Sequence, residues 1–78
     1  MTIMNKINEE KLKLWQGKLA KIEEDYKGIM QRRGEAMQMG DLRENAALQM
    51  LSEDADAYRA RIEEVRGIIA RIEQEGKG

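Results

Sequence analysis

The sequence predicts an all-α protein, an antiparallel two-helix coiled-coil hairpin. Of its 78 residues 37% are charged and 41% hydrophobic, with no proline, which is typical of long amphipathic helices. Apolar residues recur in alternating steps of three and four in each half, and the pattern breaks once, near Gly40. We therefore expect one domain over 1–78, with helices over about 8–39 and about 42–74 and a tip at 40–41.

The first helix is expected to begin at Asn8, whose side chain can cap free backbone N–H groups, while Ile7 and Leu12 are spaced for a hydrophobic staple. Its apolar seam consists of Leu12, Trp15, Leu19, Ile22, Tyr26 and Ile29. This spacing is that of a coiled coil, and it continues into Arg33 and Ala36. Three glycines lie off the seam: Gly17, Gly28 and Gly34. Each costs a helix about 1 kcal/mol relative to alanine, so this helix should be the less stable one.

The second helix starts with Asp41 as a good N-cap and Glu44 at the acidic position of a capping box. Its seam consists of Leu48, Leu51, Ala55, Tyr58, Ile62, Val65, Ile69 and Ile72. A single continuous helix in a parallel dimer would require both seams to share one phase. They are offset by one residue, which rotates the apolar stripe by about 100°. Since the offset coincides with the Gly40–Asp41 break, the hairpin is favoured.

Composition excludes several classes of function. The net charge of −1 gives no global field for nucleic acid or membrane binding, and no apolar run approaches the roughly 20 residues of a membrane span. Without cysteine or histidine, the chain lacks the usual nucleophiles and general base, so catalysis by the chain alone is not expected. Trp15, Tyr26 and Tyr58 lie on the seams, where core packing is favoured over base stacking. A cytoplasmic location is expected.

The stretch between the seams reads Gly40-Asp41-Leu42-Arg43-Glu44-Asn45-Ala46. It resembles the turn of the N-terminal coiled-coil domain of the GreA/GreB transcript cleavage factors, which carries Gly-Asp-Leu, a variable residue and Glu-Asn-Ala. The resemblance implies a hairpin that enters the secondary channel of bacterial RNA polymerase. There the acidic tip would help hold the active-site Mg²⁺, so that polymerase cleaves the 3′ end of backtracked RNA. The chain would not itself be an enzyme.

On this resemblance Asp41 and Glu44 are the catalytic and metal-binding positions. Side chains at i and i+3 of a helix face the same way, and Mg²⁺ prefers carboxylate oxygens. Two carboxylates do not complete a Mg²⁺ site, so the chain has no cofactor of its own and shares the metal with polymerase. The same Asp-x-x-Glu spacing is also an ordinary helix cap. Further contacts with polymerase are expected from Gly40, Leu42, Arg43, Asn45, Arg32 and Arg33.

Two alternatives remain for the basic and acidic runs outside the tip. Arg32 and Arg33 suit RNA phosphates or an acidic polymerase surface, but they also fit a solvated helix face. Glu53, Asp54 and Asp56 suggest a second metal site, yet an acidic run on a helix is more often exposed surface.

The chain departs from the family in two respects. The family continues after the tip with an acidic residue and a tyrosine, where this chain has Ala47-Leu48-Gln49-Met50. It also has an FKBP-like C-terminal domain that is absent from these 78 residues, so the chain is either an excised N-terminal domain or a stand-alone relative. Two other functions remain open. One is a channel-occupying inhibitor of polymerase, and the other is a structural or adaptor hairpin that weakly self-associates into a four-helix bundle.

Overall fold

A computed structural model describes two long helices, α1 over Lys6–Gln38 and α2 over Asn45–Gly76. They contain 33 and 32 residues, and of Asn45 only the backbone is described. The helices pack against each other, and the described residues contain no strand. The predicted all-α hairpin is confirmed, and the continuous helix is excluded. Neither helix, over its described residues, has an apolar stretch long enough to cross a membrane.

The two helices run antiparallel along a narrow rod. Glu23 lies opposite Arg66, Tyr26 opposite Arg59, and Arg33 opposite Ser52. Residue numbers therefore rise along α1 while their partners on α2 fall. The rod has principal extents of 61 × 14 × 14 Å, so it is only as wide as one helix pair.

The core is the line along which the two seams meet. Every seam residue predicted from the sequence is buried or half-buried. The buried hydrophobic residues are Ile29, Ala55, Ile62, Val65 and Ile72. Four of these five belong to α2, whose seam is also more regular in the sequence. Because a two-helix core is open on both sides, most seam residues keep part of their surface in water.

The helix ends differ from the predicted ones by about two residues. Asn8 is not an N-cap, because α1 already includes Lys6 and Ile7. Lysine has a high helix propensity, which favours helical backbone on the N-terminal side of Asn8. α1 is described as far as Gln38, so its predicted last residue, 39, lies outside the described residues, and α2 continues to Gly76. The predicted tip at 40–41 and the start at 42 lie outside the described residues.

We expect Gly17→Ala to raise the free energy of unfolding by about 0.5–1 kcal/mol, because alanine loses less backbone entropy than glycine in a helix. Gly17 is exposed, and a Cβ added there would meet nothing within 4 Å. Urea unfolding followed by circular dichroism measures the change. The reverse substitution, Ala20→Gly, at another exposed site of α1 should destabilise by a similar amount. A destabilising Gly17→Ala would contradict the open surroundings of this position.

Candidate functional site

The acidic tip predicted from the sequence lies between the two described helices. Gln38 ends α1 and Asn45 begins α2, and the antiparallel packing brings both to the same end of the rod. Asp41 and Glu44 lie outside the described residues, as do Gly40, Leu42 and Arg43. The two-carboxylate site therefore stays a prediction.

Arg33 joins the two helices at the end of the rod nearest the tip. It occupies a seam position and is half-buried, and its Nε donates a hydrogen bond of 2.9 Å to the Ser52 hydroxyl of α2. The sequence did not predict this contact, because a charged seam residue and a lone serine on the facing helix do not by themselves indicate a pair. Arg33 thus has an interhelical role in the free protein.

Arg32 has a different environment, although it adjoins Arg33 in the chain. It is exposed, and it lines an open groove together with Gly28, Glu35 and Tyr58. A guanidinium in this position is accessible to a phosphate or a carboxylate of another molecule. Contact of Arg32 with polymerase or RNA stays a prediction.

The acidic run of α2 is exposed surface. Glu53, Asp54 and Asp56 all face water. The Asp56 carboxylate lies 3.6 Å from the Arg59 guanidinium, and Gln49 donates a 3.5 Å hydrogen bond to Glu53. Within the described parts of α1 and α2, no group of three or more acidic side chains is placed to hold a metal ion. This environment fits the surface interpretation of the run.

One edge of the hairpin carries polar contacts between the helices. Arg66 donates to the Glu23 carboxylate at 3.1 Å, and Arg59 donates to the Tyr26 hydroxyl at 3.5 Å. This hydrogen bond raises the pKa of the Arg59 guanidinium above its ordinary value, and Asp56 acts in the same direction. Because these side chains are largely exposed, each contact adds little to stability.

The opposite edge carries a chain of open grooves, which we call the groove face. Adjacent grooves share residues, so they form one continuous depression along the rod. Besides seam residues, its α1 lining consists of Lys11, Leu14, Lys18, Lys21, Asp25, Gly28, Arg32 and Glu35, together with Lys13, Gly17, Glu24 and Gln31. On α2 it is lined by Ala57, Arg61, Ile68, Arg71 and Glu75. The eight α1 residues that directly precede seam positions in the sequence, from Lys11 to Glu35, are called the α1 groove stripe.

The central charges of the groove face form ion pairs within their own helices. Lys21 lies 2.9 Å from Asp25 on α1, and Arg61 lies 2.9 Å from Glu64 on α2. The hydrogen bond from Lys21 to the Asp25 carboxylate raises the pKa of the lysine. All four side chains are at least one-third exposed. These charges therefore flank the groove without bridging it.

The comparisons with family models, with curated proteins and with solved structures found no match. The likeness of residues 40–46 to the GreA/GreB turn thus rests on the sequence alone.

Proposed function

We propose that this protein acts on bacterial RNA polymerase, as a hairpin that enters the secondary channel and presents Asp41 and Glu44 at the active-site Mg²⁺. The observation that carries the proposal is the position of the motif. In the sequence the stretch resembling the cleavage factors falls between α1, described to Gln38, and the start of α2 at Asn45, two residues that lie at the same end of a rod 61 Å long and 14 Å wide. A slender rod of this kind suits delivery of a few side chains into a narrow channel.

The chemistry of the motif supports the same proposal. Asp41 and Glu44 offer the oxygen ligands that Mg²⁺ prefers, and two carboxylates leave room for ligands from polymerase, RNA and water. When bound, Mg²⁺ would activate a water for attack on the phosphodiester and stabilise the leaving oxygen. The protein would contribute ligands and positioning, and polymerase would do the catalysis.

We expect the purified chain to accelerate shortening of labelled RNA in stalled, backtracked polymerase complexes with Mg²⁺. Asp41→Asn and Glu44→Gln should each reduce the acceleration at least about tenfold, because an amide is a weaker metal ligand than a carboxylate. Glu53→Gln is the matched control. It removes one exposed carboxylate from α2 and should leave the cleavage rate unchanged.

Three results would distinguish the alternatives. Slower elongation without RNA shortening, unchanged in the two tip variants, would identify a channel-occupying inhibitor. No effect of the wild-type chain on polymerase, even at high concentration, would withdraw the cleavage assignment and favour a structural hairpin. Equal loss of activity in Glu53→Gln and the tip variants would show that the assay responds to net charge and not to the tip.

A further inference from the structure

We propose that the groove face is a homodimer interface, on which a second copy of this chain packs antiparallel to form a four-helix bundle. This inference is independent of the proposed function, since it uses none of the tip residues. It rests on three features of the described helices: exposed apolar side chains, charge order and side-chain size. An interface between two copies with closed two-fold symmetry must be complementary to itself, so each feature can be tested against that requirement.

The groove face holds exposed apolar surface that a hairpin alone leaves in water. Leu14 lies in two of the grooves and is 58% exposed. Ile7 and Met50 are each 65% exposed, and they lie four residues before Lys11 on α1 and seven residues before Ala57 on α2. Apolar side chains collected on one face of a helix pair mark a surface that another molecule covers.

When two copies of α1 are placed side by side in opposite directions, positive residues of one copy lie opposite negative residues of the other. If two α1 helices lie antiparallel with the two-fold axis at the level of residue 23 along the rod, Lys11 of one copy meets Glu35 of the other. In the same register Lys21 meets Asp25 of the partner. Each pair occurs twice because of the symmetry, and no like charges of the α1 groove stripe oppose each other.

The same register also matches the two α2 helices. Asp54 of one copy then lies opposite the partner's Arg71, and Arg61 lies opposite the partner's Glu64. Lys21, Asp25, Arg61 and Glu64, which are already paired within their helices at 2.9 Å, come together around the axis. One arrangement therefore pairs opposite charges on both helices, while Arg32 and Lys18 meet the partner's uncharged Leu14 and Gly28.

Side-chain size separates this arrangement from a parallel one. In the antiparallel register the large Ile68 packs against the partner's Ala57, and the long Lys18 lies over the partner's Gly28. A Cβ added at Gly28 would meet nothing within 4 Å, so the surface there is open. In a parallel dimer with α1 opposite the partner's α2, charges also match, but Gly28 would face Ala57 and leave a gap. Close packing of large against small side chains favours the antiparallel dimer.

The test uses charge reversal and sedimentation equilibrium of the full chain at low salt. Lys11→Glu and Glu35→Lys should each weaken self-association about tenfold, because each creates two like-charge contacts. An equimolar mixture of the two variants should recover wild-type association, since opposite charges then face each other in the heterodimer. Both substitutions suit the helix dipole, Glu near the start of α1 and Lys near its end, so the variants should stay folded. Circular dichroism checks this.

The control variant carries its charge reversal outside the groove face. Lys27→Glu makes the same change in net charge as Lys11→Glu, at an exposed position outside the grooves, and should leave association unchanged. A monomeric wild-type chain at all concentrations would overturn the proposal, as would equal weakening by Lys27→Glu. Failure of the mixture to recover association would overturn the antiparallel arrangement.

Cysteine cross-linking gives a second readout of orientation, because the natural chain has no cysteine. Gly28→Cys mixed with Lys18→Cys should form a mixed disulfide rapidly. Gly28→Cys mixed with Ala57→Cys should not, and preferential cross-linking of this second mixture would establish a parallel dimer and overturn the antiparallel one.

Discussion

Val65→Asp is expected to unfold the hairpin at 25 °C. Val65 is fully buried, with 0% of its surface exposed, at the position where the α2 seam is most enclosed. An unpaired carboxylate there would cost at least about 3 kcal/mol. The lost valine contacts would add about 1.5 kcal/mol or more. A two-helix protein of this size has a thin core and a small stability, so this loss exceeds what the fold can tolerate.

Far-UV circular dichroism measures the outcome as loss of the helical signal. Val65→Ala should give a graded effect of about 2 kcal/mol, since it removes two methyl groups from the core without adding a charge. Ala60→Asp provides the matched control on the same helix, because Ala60 is exposed. It should cost only the difference in helix propensity, about 0.5–1 kcal/mol. A folded Val65→Asp variant would show that this position is not the centre of the core.

The hairpin could be predicted because its core depends on a repeating pattern. Ile29, Ile62 and Val65 are buried in the structure, and each follows from steps of three and four along the sequence. The helix ends were less predictable. Asn8 can cap a helix, but Lys6 and Ile7 can also extend it. The two possible helix starts are only two residues apart, and a sequence pattern does not fix a helix end that closely.

The candidate sites depended on different kinds of signal. Asp41 and Glu44 were predicted from the motif around them, which no periodicity would have singled out. The Arg33–Ser52 hydrogen bond depends on the rotation and vertical offset of two helices, and the seams fix these only to within about a residue. The groove face follows from the same geometry. The α1 groove stripe precedes the seam positions, but only packing of the two helices determines which flank stays open.

Arg33 is the one charged residue within the described seam of α1. Leucine or isoleucine would continue the seam there, whereas arginine brings a charge into a half-buried position. Its hydrogen bond to Ser52, 2.9 Å long, offsets part of the desolvation cost. A buried or half-buried charge is often less stabilising than a well-packed apolar residue of similar size.

Arg33→Leu is therefore expected to raise the free energy of unfolding by about 1–2 kcal/mol. Leucine and arginine have similar helix propensities, so the change reflects packing. The loss of the hydrogen bond should cost about 0.5–1.5 kcal/mol at most, because the half-exposed Ser52 hydroxyl can bond to water. Urea unfolding measures the change. Lys27→Leu is the control at an exposed position of α1 outside the groove face and should alter stability by less than about 0.5 kcal/mol.

The same variant separates a structural role of Arg33 from a functional one. If the guanidinium only joins the helices, Arg33→Leu gains stability and keeps full cleavage stimulation. If it also contacts RNA or polymerase, the variant gains stability but stimulates cleavage less, while Ser52→Ala, which frees the guanidinium, retains stimulation. A destabilised Arg33→Leu would mean that the hydrogen bond to Ser52 contributes more than apolar packing at this end of the rod. In a variant that gains stability, reduced stimulation of cleavage cannot be ascribed to unfolding.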